Sequence, residues 1–293
     1  MRILLSGGSG FIGRNILESF LAKKYEITAP RHAELDFTCD AAVSDLVKGG
    51  RFDFLIHSAC KPGHRNAKEP GKVFYENTRM FFNLARNSRH FKRMLVIGSG
   101  AIYDMRHYRP KMKEDHFDAH VPADEHGFSK YVCGKYMEKA DNMVDLRIFS
   151  IFGKYEDYAI RFISNMICKA IYDLPLTMNV NRMFDFLYVD DLMPVLDHFL
   201  LNEPGFKAYN VTPDSAVALK TVAELVLKIS GKDLPIVVKG AGMDSEYSGD
   251  NSRLRAEMGG LRLTRLEDSV GKLYSWYLGN KAAIDKEFLL YDK

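Results

Sequence analysis

Gly7, Gly10 and Gly13 form a G-x-x-G-x-x-G run between an apolar stretch, Ile3-Leu4-Leu5, and a helical pattern that begins at Phe11. No other feature of the sequence constrains the fold as tightly. Spaced glycines between a strand and a helix allow a tight turn, close approach of backbone to a ligand, and close packing of helix on strand. The unpaired N–H groups at the helix start then favour a pyrophosphate. Gly7, Gly10, Phe11, Ile12 and Gly13 are therefore the expected dinucleotide loop, with the first phosphate contact at Gly10 to Ile12. No Gly-Lys-Ser/Thr follows, which disfavours a Walker-type loop.

The rest of the first half keeps the same rhythm. Short apolar runs at Ile27 to Ala29, Phe52 to His57, Arg93 to Ile97 and Val144 to Ile148 read as strands. Helical spacing covers Phe11 to Leu21, Ala42 to Lys48, Val73 to Ser88 and Ser129 to Asn142. Strands joined by helical crossovers predict an α/β fold, a Rossmann-type doubly wound parallel sheet. Beyond Gly153 the rhythm loosens. Helices are expected at Phe162 to Ala170, Asp191 to Leu200, Ala218 to Ile229 and Thr264 to Leu278, with an extended stretch at Phe184 to Val189. Residues 1–153 are thus expected to be the dinucleotide-binding core. Residues 154–293 combine its remaining elements with a smaller substrate lobe.

With 41 basic and 38 acidic side chains, the net charge is only +3, which gives no reason to expect a nucleic-acid partner. Cys39, Cys60, Cys133 and Cys168 are far apart and form no CxxC pair, so free thiols in a reducing compartment are expected. No apolar run is long enough for a membrane span. Met1-Arg2 leads straight into a strand without a leader pattern, and a cytoplasmic protein is expected. The histidines, among them His57, His64, His107 and His126, lack a compact ligand spacing, so no metal is expected.

An acid at the end of the second strand would bind the ribose hydroxyls of NAD, whereas a cation there accommodates the 2′-phosphate of NADP. The strand ends Ala29-Pro30-Arg31-His32, with no acid before Glu34. Arg31, with Arg14 as a second cation, therefore points to NADP, and NAD is the alternative. Tyr131 and Lys135 lie four apart on a predicted helix and share a face. Ser99 follows the fourth strand, at the edge where open parallel sheets bind ligands. An ammonium near a phenol favours its ionised form. Tyr131 is then the expected proton donor or acceptor at a substrate oxygen held by Ser99.

The chain resembles the extended short-chain dehydrogenase/reductase family, in its sugar-nucleotide epimerase/dehydratase/reductase branch. The similar segments are LLSGGSGFIG (4–13), LIHSA (55–59), VIGSGAIY (96–103), FSKYVCGK (128–135), LRIFSIFG (146–153), FDFLYVDDL (184–192) and Tyr209-Asn210-Val211. The resemblance implies that Tyr131 and Lys135 are the catalytic pair, that Ser99 is the hydroxyl beside them, and that Asp36, His57 and Ala59 border the cofactor. It also implies a nucleotide-linked sugar as substrate and a homodimer, with the helices near 73–88 and 129–142 pairing with their symmetry mates.

Dehydratases of this branch carry Asp-Glu after the serine or threonine, where this chain has Gly100-Ala101. The fucose-synthase-like enzymes have a cysteine where Ala101 stands and a partner histidine, yet none occurs between His126 and His198. What remains is reduction of a keto group by NADPH, or an NAD-dependent 4-epimerisation. A silent cofactor-binding sensor or scaffold is the alternative from another class. The branch grips its diphosphate with an arginine at the position of Phe184, so Arg161 and Arg182 are the expected substitutes.

Overall fold

A computed structural model describes residues 1–62 and 71–290; His64 lies outside them. The elements of the first half are β1 (Arg2–Ser6), α1 (Phe11–Glu18), α2 (Phe20–Lys24), β2 (Glu26–Thr28), α3 (Asp40–Gly50), β3 (Phe54–His57), α4 (Val73–Ala85), β4 (Arg93–Ser99), α5 (Glu125–Met137) and β5 (Met143–Ile148). There follow β6 (Ser150–Phe152), α6 (Phe162–Ile171), β7 (Leu176–Met178), β8 (Met183–Phe184), β9 (Phe186–Tyr188), α7 (Val189–Leu201) and β10 (Ala208–Val211). The chain closes with β11 (Val217–Ala218), α8 (Leu219–Ser230), β12 (Ile236–Val238), α9 (Ser252–Glu257) and α10 (Leu266–Gly279).

Six strands form one parallel sheet in the order β10-β5-β4-β3-β1-β2. The order reverses at β1, between its neighbours β2 and β3, which opens a crevice at the carboxyl ends of β1 and β3. The strands are apolar on both sides because both sides are covered. Ile3, Leu5, Ile56, Leu95 and Leu146 pack under α1, α6, α7, α8 and α10, whereas Leu4, Leu55, Met94 and Val96 face α3, α4 and α5. Alternate residues of a strand point to opposite faces, so each strand serves two cores. This is the doubly wound α/β fold.

The C-terminal half does more than add a lobe. β10 extends the main sheet beyond β5, and three short ladders (β6 with β9, β8 with β11, β7 with β12) stand apart from it.

Two boundaries differ from the sequence expectation. The first helical stretch breaks at Ser19, whose side chain caps α2 by accepting from Leu21 N. More consequentially, α5 starts at Glu125, not Ser129. Asp124 caps it, accepting from Gly127 N at 2.8 Å. Gly127 looks like a helix breaker in sequence but serves close approach: a Cβ there would lie 2.6 Å from the Ala101 carbonyl oxygen. The earlier start brings His126 into the first turn of α5.

Candidate active site

A cleft of about 1910 Å³ runs along the carboxyl edge of the sheet. This exceeds the roughly 300–1,000 Å³ of a single small-ligand pocket, so there is room for a dinucleotide and a second ligand. Gly7, Gly10, Phe11 and Ile12 line one end. Gly7 has φ +77°, and a Cβ there would lie 2.6 Å from Ala59 N. Gly13 lies outside the lining and packs instead against the loop, where a Cβ would meet the Gly7 carbonyl oxygen at 2.1 Å. Gly10, the N-cap of α1, provides no side-chain cap, and the first turn carries no acid. A bare, uncapped helix start facing a cleft fits the pyrophosphate of a dinucleotide.

The adenosine end is lined by Pro30, His32, Leu35, Asp36, Phe37 and Thr38. The Asp36 carboxylate accepts from Thr38 N and Thr38 Oγ1, both at 2.8 Å, and these bonds hold its pKa below the usual range. Arg31 stands at the rim between cleft-lining Pro30 and His32, its guanidinium on Glu34 at 2.6 Å. Arg14 is directed elsewhere: its guanidinium lies 3.5 Å from the Tyr155 ring centroid. Arg14, named as a second cation for the cofactor phosphate, does not line the cleft. Ala59 lines the cleft. His57 sits behind it, buried, sharing a 2.7 Å hydrogen bond with Ser6 Oγ. Burial first, then the Lys130 charge, lowers its pKa to about 3.

At the reaction end, Ser99, His126 and Lys130 line the cleft together. Ser99 Oγ accepts from Ala101 N at 3.1 Å, and Lys130 Nζ donates to the Ile97 carbonyl at 3.1 Å, which anchors the ammonium at the end of β4. His126 is neutral near pH 7, because burial first, then the charge of Lys130, lowers its pKa to about 4. Its Nδ1 is buried and has no partner among the described residues.

Tyr131 and Lys135 are not at this site. The Tyr131 hydroxyl donates to Asp118, and Lys135 Nζ bonds Asp118 at 2.9 Å and Glu138 at 2.8 Å. Neither lines the cleft. Each α-helical residue turns the side-chain direction by about 100°, so Tyr131 points away from Lys130 although it is the next residue. The chain holds two consecutive pairs at i, i+4 spacing, 126/130 and 131/135, and only the first lines the cleft. The sequence signal for it was the same spacing five residues earlier, hidden by starting the helix at Ser129.

Arg161 lines the cleft, and its side chain has no ion pair among the described residues; its charge acts on both His126 and Tyr247. Arg182 does not line it, being tied to Asp244 and lying 5.9 Å over the Phe184 ring. Arg182, named beside Arg161 for the substrate, is thus held in an ion pair with Asp244. Sequence reasoning also passed over Glu156 and Tyr247, which join Phe149, Phe184 and Phe186 in the lining. Among the described residues no group of His, Cys, Asp and Glu is arranged to hold a metal, and no helix is long and apolar enough to cross a membrane.

A family model described as "NAD dependent epimerase/dehydratase family" matches residues 3–212. A GDP-L-colitose synthase of Yersinia pseudotuberculosis is 35% identical over 107 residues, covering 35% of each chain. A probable GDP-L-fucose synthase 1 of Oryza sativa subsp. japonica is 21% identical over 310 residues, covering 97% of this chain and 94% of the relative. Among solved structures, a GDP-mannoheptose C4 reductase from Campylobacter jejuni with NADP bound superimposes with a TM-score of 0.82 at 20% identity. That match covers 94% of this chain and 98% of the other.

Proposed function

The chain belongs to the NAD dependent epimerase/dehydratase family, and from that premise we propose that it reduces a keto group on a nucleotide-linked sugar with NADPH. One observation carries this reading: the glycine loop, Ser99, His126 and Lys130 meet along a single cleft large enough for two ligands. The relatives named for GDP-sugar synthases and reductases give the same direction for the substrate.

NADPH, when bound, supplies the hydride. The residues of the chain do the rest. Gly10 to Ile12 present unpaired N–H groups to the pyrophosphate. Arg31 and His32, at the rim of the adenosine end, are proposed to meet the 2′-phosphate. Lys130, pinned at the end of β4, is placed to bind the nicotinamide ribose hydroxyls and keep the local potential positive. Ser99 donates a hydrogen bond to the ketone oxygen and so orients its carbon. Arg161, without a protein counter-ion among the described residues, is the proposed partner of the substrate's phosphates. Phe149, Phe184 and Phe186 exclude water beside the sugar. Assembly as a homodimer through α4 and α5 belongs to the same proposal, since Tyr75, Phe128 and Tyr136 are exposed on those helices.

The test is a panel of 4-keto nucleotide sugars, with NADPH absorbance and product stereochemistry followed together. One alcohol formed per NADPH consumed is the expected result, from a protein that sediments at about twice the 33.4 kDa of the chain. Interconversion of two epimers without net NADPH loss would establish the 4-epimerase instead. Tight NADPH binding without turnover across the panel would support the silent sensor.

A further inference from the structure

The proposed reduction needs a proton at the ketone oxygen, and α5 offers no ready donor. Tyr131 is held by Asp118 away from the cleft. His126 is neutral near pH 7, and a neutral imidazole is a far weaker acid than an imidazolium. A phenol does stand beside Ser99, however. Tyr247 lines the cleft together with Ser99, and its ring packs 4.8 Å from that of Tyr108, whose hydroxyl reaches the carbonyl of Gly100, the residue after Ser99.

We infer that Tyr247, from the C-terminal part of the chain, is the catalytic proton donor, an inference that rests on the reductase reading.

The position of Tyr247 is fixed from three sides. Its backbone N–H donates to the Met183 carbonyl at 2.9 Å, and Met112 N–H donates to the carbonyl of the next residue, Ser248, at 2.9 Å. Gly249 N–H donates to Asp185 Oδ2 at 2.7 Å. A Cβ on Gly249 would come 2.5 Å from the Phe149 ring, so glycine there lets the segment lie flat against that ring. The Tyr247 ring packs 4.8 Å from Tyr108 and 5.3 Å from Phe149, centroid to centroid. Tyr108 is itself committed, donating to the Gly100 carbonyl at 2.8 Å. A phenol held this way needs no conformational search to meet an oxygen bound at Ser99.

The step balances as follows. Hydride from the reduced nicotinamide forms the new C–H bond, and the C=O π pair moves onto oxygen. The Tyr247 O–H bond breaks as its proton passes to that oxygen, giving a secondary alcohol and a phenolate. Water entering the open cleft after product release returns the proton. The charged and titratable groups facing the phenol are Arg161, Asp185 and Tyr108; the Arg161 guanidinium favours the phenolate and offsets part of the cost of burial.

The experiment compares Tyr247→Phe with wild type and with Tyr131→Phe, using whichever keto-sugar nucleotide wild type reduces. Tyr247→Phe should lower kcat by about 100-fold or more, the range of a general acid. NADPH affinity by fluorescence titration should stay within about twofold, and product-alcohol binding to the cofactor-free protein should weaken severalfold. Tyr131→Phe should leave kcat intact. 3-Fluorotyrosine at position 247, which keeps the ring and hydroxyl but acidifies the phenol, should move the alkaline limb of the kcat profile to lower pH. This second arm decides the matter should Tyr247→Phe disturb folding. An unshifted profile, or a Tyr247→Phe kcat within about threefold of wild type, would overturn the inference while leaving the reductase reading in place. A wild type that reduces nothing in the panel would sink both.

Discussion

Lys130 and Lys135 sit five residues apart on one helix, yet one lines the cleft and the other lies on the surface. Lys135 bonds Glu138 and Asp118, and these partners raise its pKa. Exposed pairs of this kind contribute little, and Lys135→Met should leave NADPH binding and turnover within about twofold. Lys130→Met removes the ammonium anchored at the end of β4, and should weaken NADPH binding and cut kcat/KM by about 100-fold or more, on the order of 3 kcal/mol of transition-state stabilisation. Steady-state kinetics of the two variants side by side is the check. Comparable losses in both would mean that α5 presents another face to the ligands. From sequence alone the two lysines look alike, because each follows a hydrogen-bonding ring residue by four positions.

At the scale of elements, the junction of α5 with the turn at Gly100 to Ile102 sets the reaction end of the cleft. Gly127 allows that contact, and Glu125 ties α5 to the start of α4 by accepting from Val73 N at 3.1 Å. Gly127→Ala improves intrinsic helix propensity by about 0.8–1.0 kcal/mol, yet its Cβ would press on the Ala101 carbonyl oxygen. The expected outcome is a folded protein with a lower melting midpoint and a KM for the keto-sugar raised severalfold, because helix and turn must separate. A higher midpoint with unchanged KM would show the contact to be slack. The strands of the main sheet and most helices were legible from periodicity, since each strand is apolar on both faces. The start of α5 was not, because a glycine required for close approach and a glycine that ends a helix are the same letter.

For the whole molecule, burial of ionisable groups sets the pH dependence of stability. Glu156 and Asp185 are both buried, and desolvation raises each carboxyl to about 8. The folded state therefore keeps two protons that the unfolded chain releases near pH 4, so the stability they support falls as pH rises from about 4 to 8, at about 1.4 kcal/mol per pH unit for each group. His57 and His126 act in the opposite sense. With pKa lowered to about 3 and about 4, they add stability as pH rises toward about 6.5, where the unfolded histidines lose their protons. The two effects nearly cancel below pH 6.5, and the carboxyls act alone above it. The urea midpoint should thus hold roughly level from pH 5 to 6.5 and drop toward pH 8. The double variant Glu156→Gln, Asp185→Asn should remove most of that drop; a drop of the same size in the variant would assign it to other groups.

Local patterns of the sequence determined the glycine loop, the parallel doubly wound sheet and the position of Ser99 at the end of β4. Each depends on residues close together in the chain: a turn between a strand and a helix, runs of apolar residues, a hydroxyl at the end of a strand. Tertiary structure alone decided which pair on α5 faces the cleft, that Asp244 engages Arg182, and that Tyr247 stands beside Ser99. A helix can turn any of its faces to a ligand until its neighbours are in place. The partners of an arginine or a phenol more than sixty residues away are chosen only when β8, the segment before α9 and the end of β4 are folded against one another.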